Sequence, residues 1–259
     1  MESIAGKKAV VVGGSGGIGA CVARELVHAG AQVLVHGGHA SEKFDKLMEE
    51  LSKINKTGNN KAVVQPITIE NFHDIEKSGL FSAIQECDIL CVCFGPFVQK
   101  PLDQTSALEW KQMALLNYAL PGICVSTALP YMTAKKWGRI ILMGGTRTQD
   151  INSFSTNAAY AGAKTGVGCL VKSVATEYAS KGITCNGVMP GFTKTEYQSQ
   201  QQLRELALKM PLGKLVAPET IARTIMFLIS TPEINGALLP IDCGWHPCMT
   251  GKNRLTDTK

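Results

Sequence analysis

The sequence predicts an α/β fold built as a doubly wound parallel sheet with helices on both faces, in a single domain over residues 1–259. Three observations predict it. Apolar runs alternate with helical patterns from end to end, the runs are apolar at successive positions rather than at every second one, and no repeat, low-complexity tract or break in composition divides the chain. Strands of that kind are buried on both faces and need helices above and below them.

KKAVVVGG opens as a buried strand, and ACVARELVHAG follows with its apolar residues on one helical face and Gly30 as the stop. QVLVHGG is the second strand. In SEKFDKLMEELSKI, Phe44, Leu47, Met48, Leu51 and Ile54 share one face of a surface helix, Ser41 caps it, and TGNN at 57–60 marks the loop beyond. KAVVQPI, DILCVCFG, GRIILMGG, GITCNGVMPG and ALLPIDCG read as the remaining strands, with helical segments between them.

Composition narrows the function classes. The chain is 45% hydrophobic and 18% charged, ordinary for a folded protein with a sizeable core. MESIAGKKAVVVGGSGG has neither the apolar core nor the cleavage site of a signal peptide, so a cytoplasmic protein without membrane contact is expected. Nine cysteines, several of them inside strand-like runs (Cys91, Cys93, Cys185), suit a reducing compartment rather than a disulfide framework. Cys243, His246 and Cys248 in DCGWHPC lack a second ligand pair, and no metal is expected. The net charge of +5 is scattered, without the basic stripe and aromatic platforms that nucleic acid requires. At most it favours an anionic small molecule.

In VVVGGSGGIGA a strand leads through Gly13, Ser15, Gly16, Gly17, Ile18 and Gly19 into a helix, the context that a dinucleotide fingerprint of the Rossmann type requires. Glycines permit the tight turn and let backbone amides approach a pyrophosphate at the positive end of the helix. Further on, STNAAYAGAKTGVGCLV sets Tyr160 and Lys164 four residues apart, on one helical face. An ammonium there lowers the phenol's pKa, and a tyrosine so held can exchange a proton near neutral pH.

Taken together, the motifs resemble the short-chain dehydrogenase/reductase family along nearly the whole chain. Gly13, Gly17, Ile18 and Gly19 fall on its TGxxxGIG motif with Val12 in place of the threonine, Tyr160 and Lys164 match YxxxK, and Asn117 in MALLNYALPG matches the asparagine of the central helix. NGVMPGFTKTE resembles the segment after the sixth strand, with Pro190, Gly191 and Thr195 in register, while PLGKLVAPETIA and IDCGW are most similar to 3-oxoacyl-carrier-protein reductases and related carbonyl reductases. The resemblance implies hydride transfer between a nicotinamide and a carbonyl or alcohol carbon. Tyr160 would protonate the oxygen, Lys164 would hold the nicotinamide ribose and acidify Tyr160, and Asn117 would anchor a water in the relay. Gly95, Pro190, Gly191, Thr193 and Thr195 would join the glycine-rich turn in holding the cofactor. Pairing of the helices that carry Asn117 and Tyr160 would give a homotetramer.

The family also places a serine hydroxyl at the end of the fifth strand. Aligning GRIILMGG with the usual strand puts Gly145 there, whereas counting back from Tyr160 gives Arg147. Thr146 lies between the two and is the first candidate for the missing hydroxyl; Ser153, Ser155 or no replacement at all are the alternatives. Two further departures are VCFG (Val92 to Gly95) in place of NNAG, and Pro66 where an aspartate usually meets the adenine.

At the end of the second strand an NAD site would carry an acidic residue, and Gly37 stands there instead. With Gly38, His39, Ser41 and Lys43 following, NADP(H) is favoured over NAD(H). Phe192 to Met210 is expected to form a loop and helix over the site, with Phe154, Met189, Tyr197 and Met210 as pocket walls. The leading expectation is an NADPH-dependent reductase of a carbonyl, a 3-oxoacyl thioester among the candidates. An NAD-dependent alcohol dehydrogenase and a nucleotide-binding scaffold that has lost turnover are the alternatives.

Overall fold

The computed structural model describes residues 2–54, 59–194 and 199–248. Its seven-stranded sheet is parallel throughout: β1 (Lys8–Val12), β2 (Gln32–Gly37), β3 (Lys61–Val64), β4 (Ile89–Val92), β5 (Gly138–Met143), β6 (Ile183–Pro190) and β7 (Leu238–Ile241) run in the order β3-β2-β1-β4-β5-β6-β7. The order reverses between β1 and β4, and at that switch point the strand ends open a crevice for ligand. All the carboxyl ends lie along one edge, so the loops after β1, β2, β4, β5 and β6 converge there.

Helices cover both faces. On one, α1 (Gly17–His28), α2 (Glu42–Ile54) and α7 (Pro218–Ser230) bury Val22, Leu26, Leu47, Leu51, Ile221 and Ile225. On the other, α3 (Gly79–Ile84), α4 (Ala107–Ala114), α5 (Leu120–Lys135) and α6 (Ala158–Glu177) pack around Leu80, Cys124, Met132, Val167 and Val171. The predicted Ser41 cap is present, its Oγ accepting from Phe44 N at 3.2 Å. β3 is shorter than predicted and ends before Pro66, which lacks the N–H a longer ladder needs. Thr57 and Gly58 of the predicted loop lie outside the described residues.

The stretch Ala107–Lys135 is long and apolar enough to cross a membrane, yet it packs as a core element on β4 and β5. Between α4 and α5 it passes through a π-helical turn, Leu115–Ala119, that contains Asn117. Pro121 explains the turn, because it has no N–H to offer the Asn117 carbonyl one helical turn back.

Candidate active site

The glycine-rich turn between β1 and α1 is built for close approach. Gly13 has φ of +77°, and a Cβ on it would stand 2.9 Å from Phe94. A Cβ on Gly19 would stand 2.1 Å from the Gly13 carbonyl oxygen, so the turn closes only if both stay glycine. Gly16 precedes α1 with no side-chain cap, and Ser15, Gly16, Gly17 and Ile18 are partly exposed along the cleft. Uncapped amides at a helix N-terminus, on a surface shorn of side chains, fit a pyrophosphate.

The remaining predicted cofactor residues line the same edge. Gly38 is partly exposed and His39 exposed beyond β2, while Ser41 serves as the α2 cap. After β6, the Pro190 carbonyl accepts from Thr146 N, Gly191 N donates to Ile241 O, and Thr193 Oγ1 donates back to the Gly191 carbonyl at 3.0 Å. Thr195 and Tyr197 lie outside the described residues.

Lys164 and Asn117 meet at Gly95, while Tyr160, one helical turn before Lys164, faces Gly145 and Phe97. A Cβ on Gly95 would stand 2.3 Å from Asn117 Oδ1 and 3.0 Å from Lys164 Nζ, so glycine alone lets the two polar groups come this close to the loop after β4. Lys164 is buried and donates to the Met143 carbonyl at 2.9 Å. Asn117 Nδ2 donates to the Pro96 carbonyl at 3.0 Å, and its Oδ1 is buried without a partner among the described residues. Burial lowers the Lys164 ammonium to about 8, against an opposing pull from Cys93. Burial also pushes the Tyr160 phenol up to about 12. That corrects the expected lowering by Lys164: the ammonium, 5.9 Å from the ring centre and bonded to Met143, does not offset desolvation.

The structure separates Thr146 from the phenol. Thr146 Oγ1 donates to Asp242 Oδ2 at 2.8 Å, on the side of the sheet end where Asp242 also holds His246. Gly145 is the residue that faces Tyr160, and a Cβ on it would stand 3.2 Å from the phenol oxygen. The reason is strand alternation: Gly144 N donates to Val188 O and Thr146 N to Pro190 O, so β5 keeps its ladder with β6 and neighbouring residues point to opposite faces. Ser153 and Ser155 are exposed in the following loop. Among the predicted walls, Met189 is core, packed under Gly144, Met210 is buried, and Phe154 lies under the Arg147 guanidinium.

Comparison with known proteins decides the family. A family model described as short chain dehydrogenase matches residues 7–205. The chain belongs to this family. A 3-oxoacyl-[acyl-carrier-protein] reductase of Rickettsia bellii is 31% identical over 93% of this chain and 100% of its own length. A cis-4-hydroxycyclohexanecarboxylate dehydrogenase of Sinomonas cyclohexanicum is 28% identical over 94% of this chain and 98% of its own. A solved structure titled short chain dehydrogenase/reductase family protein superposes with a TM-score of 0.79, at 24% identity, over 95% of this chain and 99% of the other. The protein is therefore an oxidoreductase of the short-chain dehydrogenase class, whose members bind a nicotinamide cofactor.

Several residues of this short-chain dehydrogenase escape a reading by motif. Phe97 stands edge-on to the Tyr160 ring at 4.8 Å, from an irregular loop in which no periodicity marks it. Thr148 is buried and donates to the Gly145 carbonyl at 2.7 Å while accepting from Gly145 N, fixing the residue that faces the phenol. Asp242 accepts from Thr146, Gly244 N and His246; burial works to raise its carboxyl, but the bonds from Thr146 and His246 hold it below the usual range. Its nearness to Thr146 follows from the β6–β7 pairing, which no local pattern states.

Proposed function

We propose that this chain reduces a carbonyl compound with NADPH, with 3-oxoacyl thioesters as the first substrate class to test. The observation that carries the proposal is the meeting of Lys164 and Asn117 at Gly95, with Tyr160 one helical turn away facing Gly145, beside the glycine-rich turn, and with the phenol protonated at neutral pH. A protonated phenol is the form that gives a proton to an alkoxide, which suits reduction. The bound dinucleotide supplies the hydride. Tyr160 donates the proton to the substrate oxygen, Lys164 holds the nicotinamide ribose, and the unpartnered Asn117 Oδ1 anchors a water that reprotonates the phenol. Gly37 at the end of β2, with His39, Ser41 and Lys43 beyond it, favours NADP(H), since no carboxylate there repels a 2′-phosphate. The names of the reductase relatives support the substrate class. We further propose one domain and a cytoplasmic homotetramer paired through the side of the molecule where Leu108, Trp110 and Tyr118 are exposed.

NADPH consumption with a panel of 3-oxoacyl thioesters and simple ketones, run beside Tyr160→Phe, tests the proposal. Turnover that falls by about 10²–10⁴-fold in the variant supports it. Gly145 favours a second reading, a nucleotide-binding scaffold with impaired turnover, which saturable NADPH binding without consumption would select. The name of the Sinomonas relative favours an alcohol dehydrogenase as a third reading, and tighter binding of NAD than of NADP would select its NAD-dependent form.

A further inference from the structure

His36, at the end of β2, is fully buried. Its Nδ1 accepts from Gly13 N at 3.1 Å, its Nε2 lies 2.8 Å from the Gln65 carbonyl oxygen, and its own carbonyl accepts from Gly14 N at 2.8 Å. An N–H facing Nδ1 and a carbonyl facing Nε2 leave one satisfied state, the neutral tautomer with its proton on Nε2. We infer that His36 is a positioning residue for the dinucleotide: it pins the first two glycines of the turn to the end of β2 and to the loop after β3.

The inference rests on the cofactor reading given under Proposed function. Gly13 and Gly14 begin the turn that approaches the pyrophosphate, so an imidazole that fixes the Gly13 amide also fixes where the next amides point. The Phe94 ring closes over the imidazole edge-on, with centroids 6.5 Å apart. The groups that face it, Gly13, Val63, Gln65 and Phe94, carry no ionisable side chain. Burial holds His36 below its usual pKa, with the Gln65 carbonyl opposing. Protonation would set an Nδ1–H against the Gly13 N–H, donor against donor. Cofactor affinity is therefore full in the neutral range and lost as pH falls below the ordinary histidine value of 6.5 into the depressed range.

The test is fluorescence titration of NADH, which has no 2′-phosphate of its own to titrate, and of NADPH between pH 5 and 8, with wild type, His36→Asn and His36→Gln. Asparagine keeps an acceptor at the Nδ1 position toward Gly13 and does not titrate, so it should bind nearly as well as wild type at pH 8 and lose the acid limb. Glutamine reaches Gln65 rather than Gly13, so it should bind about tenfold more weakly at every pH, the effect of one orphaned buried donor. A residue that serves stability alone would lower the melting temperature of both variants and leave the acid limb in place. Persistence of that limb in His36→Asn, or wild-type affinity in His36→Gln, overturns the inference. Absence of an acid limb in wild type overturns it without any variant. Failure of wild type to bind either dinucleotide at pH 8 overturns the cofactor reading as well.

Discussion

Gly145 puts a hydrogen atom beside the Tyr160 phenol where the family resemblance expects a hydroxymethyl group. A serine there fits with a shift of a few tenths of an ångström, since its Cβ would stand 3.2 Å from the phenol oxygen. Gly145→Ser is expected to raise kcat about tenfold by adding a donor to the substrate oxygen, while Gly145→Ala crowds the phenol and lowers it; steady-state kinetics of both variants check this. Thr146→Val removes the bond to Asp242 and should lower stability by about 1–2 kcal/mol in urea denaturation, with kcat within twofold. A collapse of kcat at unchanged stability would return Thr146 to the chemistry. The reduction rate should fall as pH rises through about 8, where Lys164 loses its charge, and pH profiles of kcat should show that limb. Tyr160, Lys164 and Asn117 stand out in the sequence because each falls on a motif of the family that the chain resembles, in company with the glycine-rich turn. The choice between Gly145 and Thr146 does not, because two countings bracket the position and only the β5–β6 ladder decides which residue turns toward α6.

The π-helical turn places Asn117 through a single missing donor. Pro121→Ala supplies an N–H to the Asn117 carbonyl and should let α4 and α5 run on as one regular helix. Asn117 Oδ1 would then rotate away from Gly95, so kcat should drop about tenfold while the melting temperature holds or rises; kinetics and thermal unfolding together check it. Element order and the buried strands could be read in advance, because runs such as ILCV in β4 and GRIILM in β5 are apolar without alternation. The turn could not. It displaces the helical period by one residue, a change that apolar spacing does not register and that a proline four positions later explains only in hindsight.

At the opposite edge of the sheet from the cleft, Arg139 in β5 ties the chain together. Its guanidinium is buried, donates to the carbonyls of Gly138, Gly182 and Ile229, pairs with Glu2, and stacks on Trp137. Arg139→Met should destabilise the protein by about 3 kcal/mol in urea denaturation by orphaning those carbonyls, with cofactor affinity unchanged in the folded fraction. A buried arginine inside an apolar run carries no sequence mark of its partners, which lie 43 and 90 residues away at Gly182 and Ile229. Contacts of such range also order the assembly of the site in time. The phenol's neighbour Gly145 sits next to Thr146, whose side-chain anchor Asp242 is 96 residues further along the chain. At a synthesis rate of roughly 5–20 residues per second, Asp242 follows Thr146 out of the ribosome by about 5 to 20 s. During that interval the glycine-rich turn can already form against β4 and the β5–β6 ladder can already turn Gly145 toward Tyr160, so a nascent chain would acquire its proton-transfer residues before Thr146 gains its anchor.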